Sequence, residues 1–215
     1  MPILRKTSPA GNKKQQQEFI PWKIRQVRPE DEEALTDIMQ TSFSSMLPKD
    51  YDVDILDKAL PTIGTPRPDL LTCPTWYVAE HPTTGEVVGC GGWTKEMPRP
   101  RSSSPSPAIS IVEGFNDHSS NAESAARPLT PHLRHFATDP KWARRGVGRA
   151  LWNRIWDEVC QTYCGPTSTA MEVFSTLTAE PFYSSLGFEP IKRMTIPLSN
   201  GCPFPCVLMR RTPKS

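Results

Sequence analysis

The clearest hydrophobic pattern in the chain lies in residues 134–165. A short apolar strand leads into a turn with two glycines, and beyond the turn apolar residues recur every four positions. This spacing is typical of one buried stripe on a helix. The stripe consists of Val147, Leu151, Ile155 and Val159. The pattern therefore predicts a helix that begins near Gly146 and ends before Gly165, which stands where a C-terminal cap is expected.

Shorter patterns predict the remaining elements. Strands are predicted at 22–28, 75–80, 86–93, 170–175, 191–198 and 204–210. A helix is predicted to open at Pro29, and its buried stripe consists of Leu35, Ile38, Met39 and Phe43. Further helices are predicted at 52–60, more weakly, and at 179–185. The loop 81–85 and the pair Asn200-Gly201 are typical of hairpin connections.

Some segments lack the residues needed to build a core. Residues 1–19 are polar and basic, so their composition predicts a disordered tail, and residues 212–215 form a short tail at the other end. Residues 95–131 are rich in proline and serine and interrupt the strand pattern. They predict an insertion that is either a lid or a disordered linker. We therefore expect one domain over residues 20–211.

The overall composition narrows the classes of protein to consider. The chain has 215 residues, of which 37% are hydrophobic, and a formal net charge of +2. A charge this close to neutral gives no general reason to expect nucleic acid or a membrane as a partner. No apolar run is long enough to span a bilayer, and the first residues lack the apolar core of a signal peptide. We therefore expect a cytoplasmic protein.

The six cysteines are expected to be free thiols, because the cytoplasm keeps cysteines reduced. Two pairs, Cys160 with Cys164 and Cys202 with Cys206, have the spacing C-x-x-x-C. Zinc sites usually use more closely spaced pairs. The sequence therefore predicts no metal site.

The start of the long helix carries an unusual concentration of positive charge. Arg144, Arg145 and Arg149 lie at the positive end of the helix dipole, which disfavours cations. A bound anion would remove this conflict. The free amide groups of a first helical turn, opened by Gly146 and Gly148, are well suited to bind a phosphate. The alternative interpretation is an ordinary surface helix with a solvated basic end.

The spacing of this segment excludes the two commonest phosphate-binding motifs. A P-loop requires Gly-Lys-Ser/Thr, whereas the chain has Gly148-Arg149-Ala150. A dinucleotide fingerprint requires a third glycine where Leu151 stands. The phosphate would therefore belong to a ligand of another class.

Two motifs resemble those of the GNAT superfamily of acyl-CoA N-acyltransferases. Residues 143–148, Ala-Arg-Arg-Gly-Val-Gly, are similar to its Gln/Arg-x-x-Gly-x-Gly/Ala signature, with Ala143 as the one departure. Residues 178–188, Thr-Ala-Glu-Pro-Phe-Tyr-Ser-Ser-Leu-Gly-Phe, resemble a second segment of the family at the expected distance. The resemblance covers about residues 20–211. It implies an α/β fold, with a mixed twisted sheet of about seven strands that is splayed between strands four and five and has helices on both faces.

The resemblance also implies acetyl-CoA as co-substrate and a set of residues that bind it. The pantetheine arm is expected along the main chain of strand four, at Phe136, Ala137 and Thr138. The pyrophosphate is expected at the start of the following helix, at Arg144, Arg145, Gly146, Val147, Gly148 and Arg149.

For the proton transfers, the resemblance implies that Tyr183 is the general acid towards the coenzyme A sulfur. The alternative is a core tyrosine that anchors a short helix. His132 stands where related enzymes have a glutamate base, and a histidine titrates near neutrality. The alternative for His132 is a structural histidine, and Glu80 is a weaker candidate for the base.

Residues near the acceptor are harder to identify. Strict alternation along strand four places Arg134 on the face of His132 and His135 on the opposite face. We expect Arg134 and Trp93 to bind the acceptor. Trp76, Tyr77 and Trp93 are also typical core aromatic residues, but the three glycines preceding Trp93 indicate that something approaches this strand closely.

The expected function is that of an acetyl-CoA-dependent N-acetyltransferase. Its expected acceptor is the amine of a small or amino-acid-like molecule, which attacks the thioester directly. A protein amino group is a second candidate. A catalytically silent domain that binds acyl-CoA as a sensor or scaffold is the alternative from another class. The sequence indicates neither the acceptor's identity nor an oligomeric state.

Overall fold

The computed structural model of the chain describes residues 20–95, 130–163 and 170–212. The tail of residues 1–19, almost all of the predicted insertion and the predicted cap at Gly165 lie outside the described residues. The predictions for those segments therefore remain predictions.

The described elements follow the predicted order closely. They are β1 (Lys23–Gln26), α1 (Glu32–Met46), α2 (Val53–Ile63), α3 (Pro68–Leu71), β2 (Trp76–Glu80), β3 (Val87–Thr94), β4 (His132–Thr138), α4 (Val147–Tyr163), β5 (Met171–Ser175), α5 (Glu180–Ser185), β6 (Glu189–Pro197) and β7 (Pro203–Arg211). Short 3-10 turns occur at Pro29–Asp31, Leu47–Lys49 and Pro140–Trp142. The single-turn helix α3 is the one helix here that the hydrophobic pattern did not predict, because four residues are too short for a periodic signal.

The described strands form one seven-stranded sheet in the order β1-β2-β3-β4-β5-β7-β6. Strands β4 and β5 are parallel and pair at one position, His132 with Glu172. The neighbouring pairs are antiparallel and extend over several residues. The sheet is therefore open between β4 and β5 beyond their first residues, which confirms the predicted splayed α/β fold.

Helices cover both faces of the sheet. On one face α4 packs with its predicted stripe, which is buried throughout at Val147, Leu151, Ile155 and Val159. On the other face α1 packs with Leu35, Ile38 and Met39. Trp76, Tyr77 and Trp93 are all almost fully buried between these layers, as core aromatic residues. This burial is the principal source of stability of such a fold.

The glycines of β3 are required by the chain's own close packing. A Cβ atom at Gly91 would overlap the ring of Phe136, and one at Gly92 would overlap the carbonyl oxygen of Thr75 and the indole of Trp76. The close approach predicted from these glycines is therefore made by neighbouring strands and their side chains.

Strand β4 contains a bulge that changes the direction of its side chains. His135 has a φ of 41°, and the register passes from Arg134 opposite Gly92 to Ala137 opposite Cys90. Two residues of β4 thus oppose one residue of β3, which is the definition of a bulge. The prediction that His135 points away from the face of Arg134 is wrong. The ring of His135 lies 6.4 Å from that of Trp76, on the α1 face.

Tyr51 connects the open side of the sheet to the segment before α2. Its hydroxyl donates to the carbonyl oxygen of Pro205 at 2.8 Å and accepts the N–H of Leu177, also at 2.8 Å. Its ring is stacked on Phe204, with 4.8 Å between the centroids. One side chain therefore holds α2 against the end of β5 and against β7.

We predict that Tyr51→Phe lowers the free energy of unfolding by about 1–3 kcal/mol, because two partly buried main-chain groups lose their partner. Urea denaturation of the purified chain measures the change. Tyr183→Phe is a matched control, because the Tyr183 hydroxyl makes no hydrogen bond with any described residue. Equal denaturation midpoints for the two variants would contradict the role assigned to Tyr51.

Candidate active site

The turn between β4 and α4 exposes a row of main-chain N–H groups. Arg144 and Gly146 both have left-handed backbone conformations, with φ of 63° and 88°. The N–H of Ala150 donates to the carbonyl oxygen of Gly146 at 2.9 Å, which makes this the first bond of the helix. The N–H groups of residues 146–149 therefore precede the helical hydrogen-bond ladder and point outward from its positive end. The helix begins at Val147, as the pattern predicted.

The turn is held in place by residues outside the motif. The indole Nε1 of Trp22 donates to the carbonyl oxygen of Arg145 at 3.0 Å. The Trp22 ring meets the Trp142 ring edge-on at 5.5 Å, and the Arg145 guanidinium lies 5.2 Å from the Trp142 centroid. Within the turn, the side chain of Asp139 accepts the N–H of Lys141 at 2.8 Å. The backbone of this turn is thus fixed before any ligand arrives.

The three arginines of the turn are exposed, as phosphate binding requires. Arg149 reaches towards the carbonyl oxygen of Ser185, 3.5 Å away, at the end of α5. Gly148 lies beneath the ring of Phe182, which a Cβ atom at this position would approach to 3.0 Å. The two motifs recognised in the sequence are therefore in contact, through Gly148 and Phe182.

The second half of β4 borders the opening in the sheet. Ala137 and Thr138 pair with Cys90 and Gly89 of β3, but β5 pairs with β4 only at His132. The main-chain groups of residues 136–138 that point away from β3 therefore face the gap. An extended ligand can add to such a strand edge by main-chain hydrogen bonds.

Tyr183 lies on α5 with its ring enclosed by aromatic residues. The rings of Phe136, Phe182 and Phe188 lie 6.4, 5.3 and 5.7 Å from it. Burial, with a contribution from Cys90, raises the pKa of Tyr183 above its ordinary value. The phenol therefore keeps its proton at neutral pH and makes no hydrogen bond with a described residue.

His132 occupies an environment that does not suit a general base. Its side chain is 1% exposed, and its Nε2 accepts the N–H of Phe174 at 3.3 Å. Burial, with the charge of Arg134, lowers the pKa of His132 to about 3. A histidine this weakly basic stays neutral near pH 7, and the bond to Phe174 assigns its proton to Nδ1. This environment therefore does not support His132 as the general base.

Glu80, the other candidate for the base, is already paired with an arginine far from the gap in the sheet. Glu80 accepts the Nε of Arg25 at 2.6 Å, and it lies at the end of β2, two strands away from β4.

The two residues predicted to bind the acceptor lie on opposite faces of the sheet. Trp93 is 2% exposed and donates through its indole to the carboxylate of Glu158 at 2.9 Å, on the α4 side. Tyr77 donates to the same carboxylate oxygen. The position of Trp93 therefore does not support contact with an acceptor. Arg134 lies on the α1 side, where its Nη1 donates to the Thr94 hydroxyl at 3.2 Å.

An open cleft of about 470 Å³ lies beside Tyr51. Residues 48–52 and Ile55 form one wall, and Leu177 and Pro205 form the other. The cleft adjoins the end of β5, where the sheet opens.

The ranges 20–95, 130–163 and 170–212 contain no group of three or more histidine, cysteine or acidic side chains arranged to hold a metal ion. Cys202 and Cys206 are both buried free thiols.

Within the same ranges, none of the helices has the length and apolar composition needed to cross a membrane.

Comparisons with known proteins point to one fold. Residues 118–204 match the family model for an acetyltransferase (GNAT) domain. No curated protein matches the chain significantly in sequence. A GCN5-related N-acetyltransferase from Rhodopseudomonas palustris superposes with a TM-score of 0.60 at 15% identity, over 89% of this chain and 96% of the other.

Two further solved structures are similar. The PaiA N-acetyltransferase from Thermoplasma acidophilum, in complex with coenzyme A, gives a TM-score of 0.55 at 11% identity, over 90% of this chain and 100% of the other. A GNAT-family acetyltransferase from Staphylococcus aureus gives 0.52 at 14% identity, over 90% and 99%. At these identities the likeness establishes the fold.

The turn before α4 yields a prediction about binding. Gly148→Asp should weaken acetyl-CoA binding at least about tenfold relative to Gly148→Ala, because a carboxylate repels a phosphate at the same amides. Calorimetric titration measures both affinities. The two variants share the contact of the added Cβ with Phe182, and an aspartate in a first helical turn does not destabilise the helix. Equal affinities would place the phosphate elsewhere.

Proposed function

Because the chain has the GNAT fold and carries a GNAT acetyltransferase segment, we propose that it is an acetyl-CoA-dependent N-acetyltransferase with a small amine or amino-acid-like acceptor. One observation carries the proposal. The exposed amides and arginines at the start of α4 lie at the end of β4 that borders the gap in the sheet. A ligand with a phosphate group and an extended arm fits this combination.

In this proposal, acetyl-CoA is bound by two parts of the chain. Its pyrophosphate binds the N–H groups of residues 146–149 and the side chains of Arg144, Arg145 and Arg149. Its pantetheine arm binds the main chain of Phe136, Ala137 and Thr138 along the open edge of β4. The left-handed Gly146 supports the proposal, because it leaves the backbone of the turn open to a ligand.

The chemistry of acetyl transfer requires an N–H donor near the thioester carbonyl. The bulge at His135 and Phe136 supplies main-chain groups that are not paired in the regular ladder with β3. A donor there would stabilise the negative charge that develops on the carbonyl oxygen. The bulge lies at the level where β4 and β5 have already separated.

Proton transfer to the departing sulfur is assigned to Tyr183 in this proposal. The hydroxyl carries its proton at neutral pH and is not engaged with another described residue. Its ring is fixed by Phe136, which belongs to the strand that borders the gap. We therefore expect the hydroxyl to be available to a ligand in that gap.

Loss of the acceptor's proton is assigned to solvent in this proposal. An alkylammonium has a pKa near 10, so only a small fraction of the amine is neutral at pH 7. His132 is too weakly basic to take up this proton. In this proposal, water in the open cleft therefore takes it up.

The assignment to solvent predicts the pH profile of the reaction. Because the folded pKa of His132 is about 3, kcat/KM should rise steadily from pH 6 towards the pKa of the acceptor, with no inflection near 6.5. Steady-state rates over this range are the measurement. An inflection near neutrality that disappears in His132→Asn would restore His132 as the base.

A catalytically silent domain that binds acyl-CoA is the second candidate. The environments of His132 and Glu80, neither of which suits a general base, favour it. Binding of acetyl-CoA without release of thiol in the presence of any amine would distinguish it from an enzyme.

The role of Tyr183 gives a separate prediction. Tyr183→Phe keeps the ring and its aromatic contacts but removes the proton, so turnover should fall by about 10²- to 10⁴-fold. The affinity for acetyl-CoA and the denaturation midpoint should change little, because the hydroxyl has no partner in the described residues. Thiol release, calorimetry and urea denaturation measure the three quantities. Near-normal turnover would leave solvent as the proton donor.

A further inference from the structure

Arg134 lies in a row of side chains on the α1 face of the sheet. It stands opposite Gly92, and its neighbour in the row, His132, stands opposite Thr94. Arg134 is 9% exposed. The positive charge therefore lies inside the protein, one residue before the bulge of β4.

This charge has no acidic partner among the described residues. Its hydrogen bond goes from Nη1 to the neutral hydroxyl of Thr94, and no ion pair involves it. Asp69, which acts on it electrostatically, already accepts Nε and Nη2 of Arg67 at 2.9 and 2.7 Å. Burial, with the charge of Arg67, lowers the pKa of Arg134 to about 10. A buried guanidinium without a carboxylate is costly, so the surroundings of Arg134 favour an anion at this position.

Other arginines of the chain show the usual solution. Arg210 is paired with the buried carboxylate of Glu172, and Arg25 is paired with Asp31 and Glu80. Arg134 is more deeply buried than either of these two arginines, and yet it is the one of the three that has no ion pair with a described residue.

A second polar group points to the same chemistry. The Nδ1 atom of His132 is buried and has no hydrogen-bond partner. Because Nε2 accepts the N–H of Phe174, Nδ1 carries the proton and is a donor. Among the described residues, the α1 face of β4 thus holds a cation without an acidic partner and, two residues away, a buried N–H donor without an acceptor.

We propose that Arg134, assisted by His132, binds a carboxylate of the acceptor, so that the acceptors are small amino carboxylates. The inference rests on the proposed function and specifies its substrate class. Successive residues of a strand are about 3.3 Å apart, so Arg134 lies within a few ångströms of the level of the bulge. In this proposal, an acceptor the size of an amino acid places its carboxylate at Arg134 and its amine at the thioester.

The test compares amino acids with their primary amides as acceptors for the full-length chain. The ratio of kcat/KM for each acid to that of its amide is measured in the native protein and in Arg134→Met. The ratio should fall by about 10- to 100-fold in Arg134→Met, mainly through KM, as expected for loss of a charge-assisted hydrogen bond. Comparing ratios cancels the different basicities of the two amines. Arg134→Lys should give an intermediate value.

Arg25→Met is the control for this comparison. Arg25 is an arginine of the distant edge strand β1 with acidic partners, so its removal should leave the acceptor ratio unchanged. An acceptor ratio that does not depend on Arg134 would overturn the proposal.

Stability distinguishes an acceptor carboxylate from an acid supplied by the chain itself. If the acidic partner of Arg134 is a ligand, Arg134→Met removes a buried charge that has no acidic partner in the free protein. The urea midpoint of the free protein should then stay the same or rise. Arg25→Met, which breaks real ion pairs, should lower it. A lower midpoint for Arg134→Met would assign its partner to the chain and overturn the proposal.

Binding measurements separate this inference from the proposed function. Calorimetric titration of the amino acids, with and without coenzyme A, reports on the carboxylate site even where no turnover occurs. Amino-acid binding that disappears in Arg134→Met supports the carboxylate site in either case. Acetylation of amides and acids with equal efficiency would support the proposed function and reject the carboxylate site.

Discussion

The single pairing between β4 and β5 is the constraint on which the rest of the structure depends. His132 and Glu172 meet at the one level where the strands are joined, and Arg210 neutralises the buried Glu172 from the next strand. Beyond that level the two halves of the sheet separate, yet helices on both faces keep each half covered. The opening therefore arises from the topology of the sheet, and the polar groups of β4 remain available for a ligand.

The details of β4 follow from its neighbours as much as from its own sequence. The bulge turns Phe136 towards α4, where its ring lies over Gly91 and approaches Gly148 and Tyr183. Without the glycine at 91, the ring could not occupy this place. One aromatic side chain thereby brings together the open strand, the start of α4 and the short helix α5.

The sequence was sufficient to predict the helices and strands that have strong local patterns. It was insufficient for features that depend on contacts between residues far apart in the chain. The stripe from Val147 predicted α4, and the motif around Tyr183 predicted α5. The face of His135 was predicted wrongly, because a bulge cannot be read from alternation alone. The low basicity of His132 depends on burial and on Arg134, and the contact of Trp22 with Arg145 joins residues 123 positions apart. Neither the lowered pKa of His132 nor this long-range contact can be predicted from the residues next to them in the sequence.

The hydrogen bond from Trp22 to Arg145 links the turn before α4 to the edge of the sheet. Strand β1 has four residues and a neighbour on one side, so it belongs to the part of a sheet that opens most readily. Fraying of this edge would release the carbonyl of Arg145 and loosen the row of amides. By thermodynamic reciprocity, a ligand held on those amides would shift the equilibrium of β1 away from the frayed state. Occupancy of the turn and closure of the sheet's first strand are thus coupled equilibria, although Trp22 and Arg145 lie 123 residues apart in the sequence.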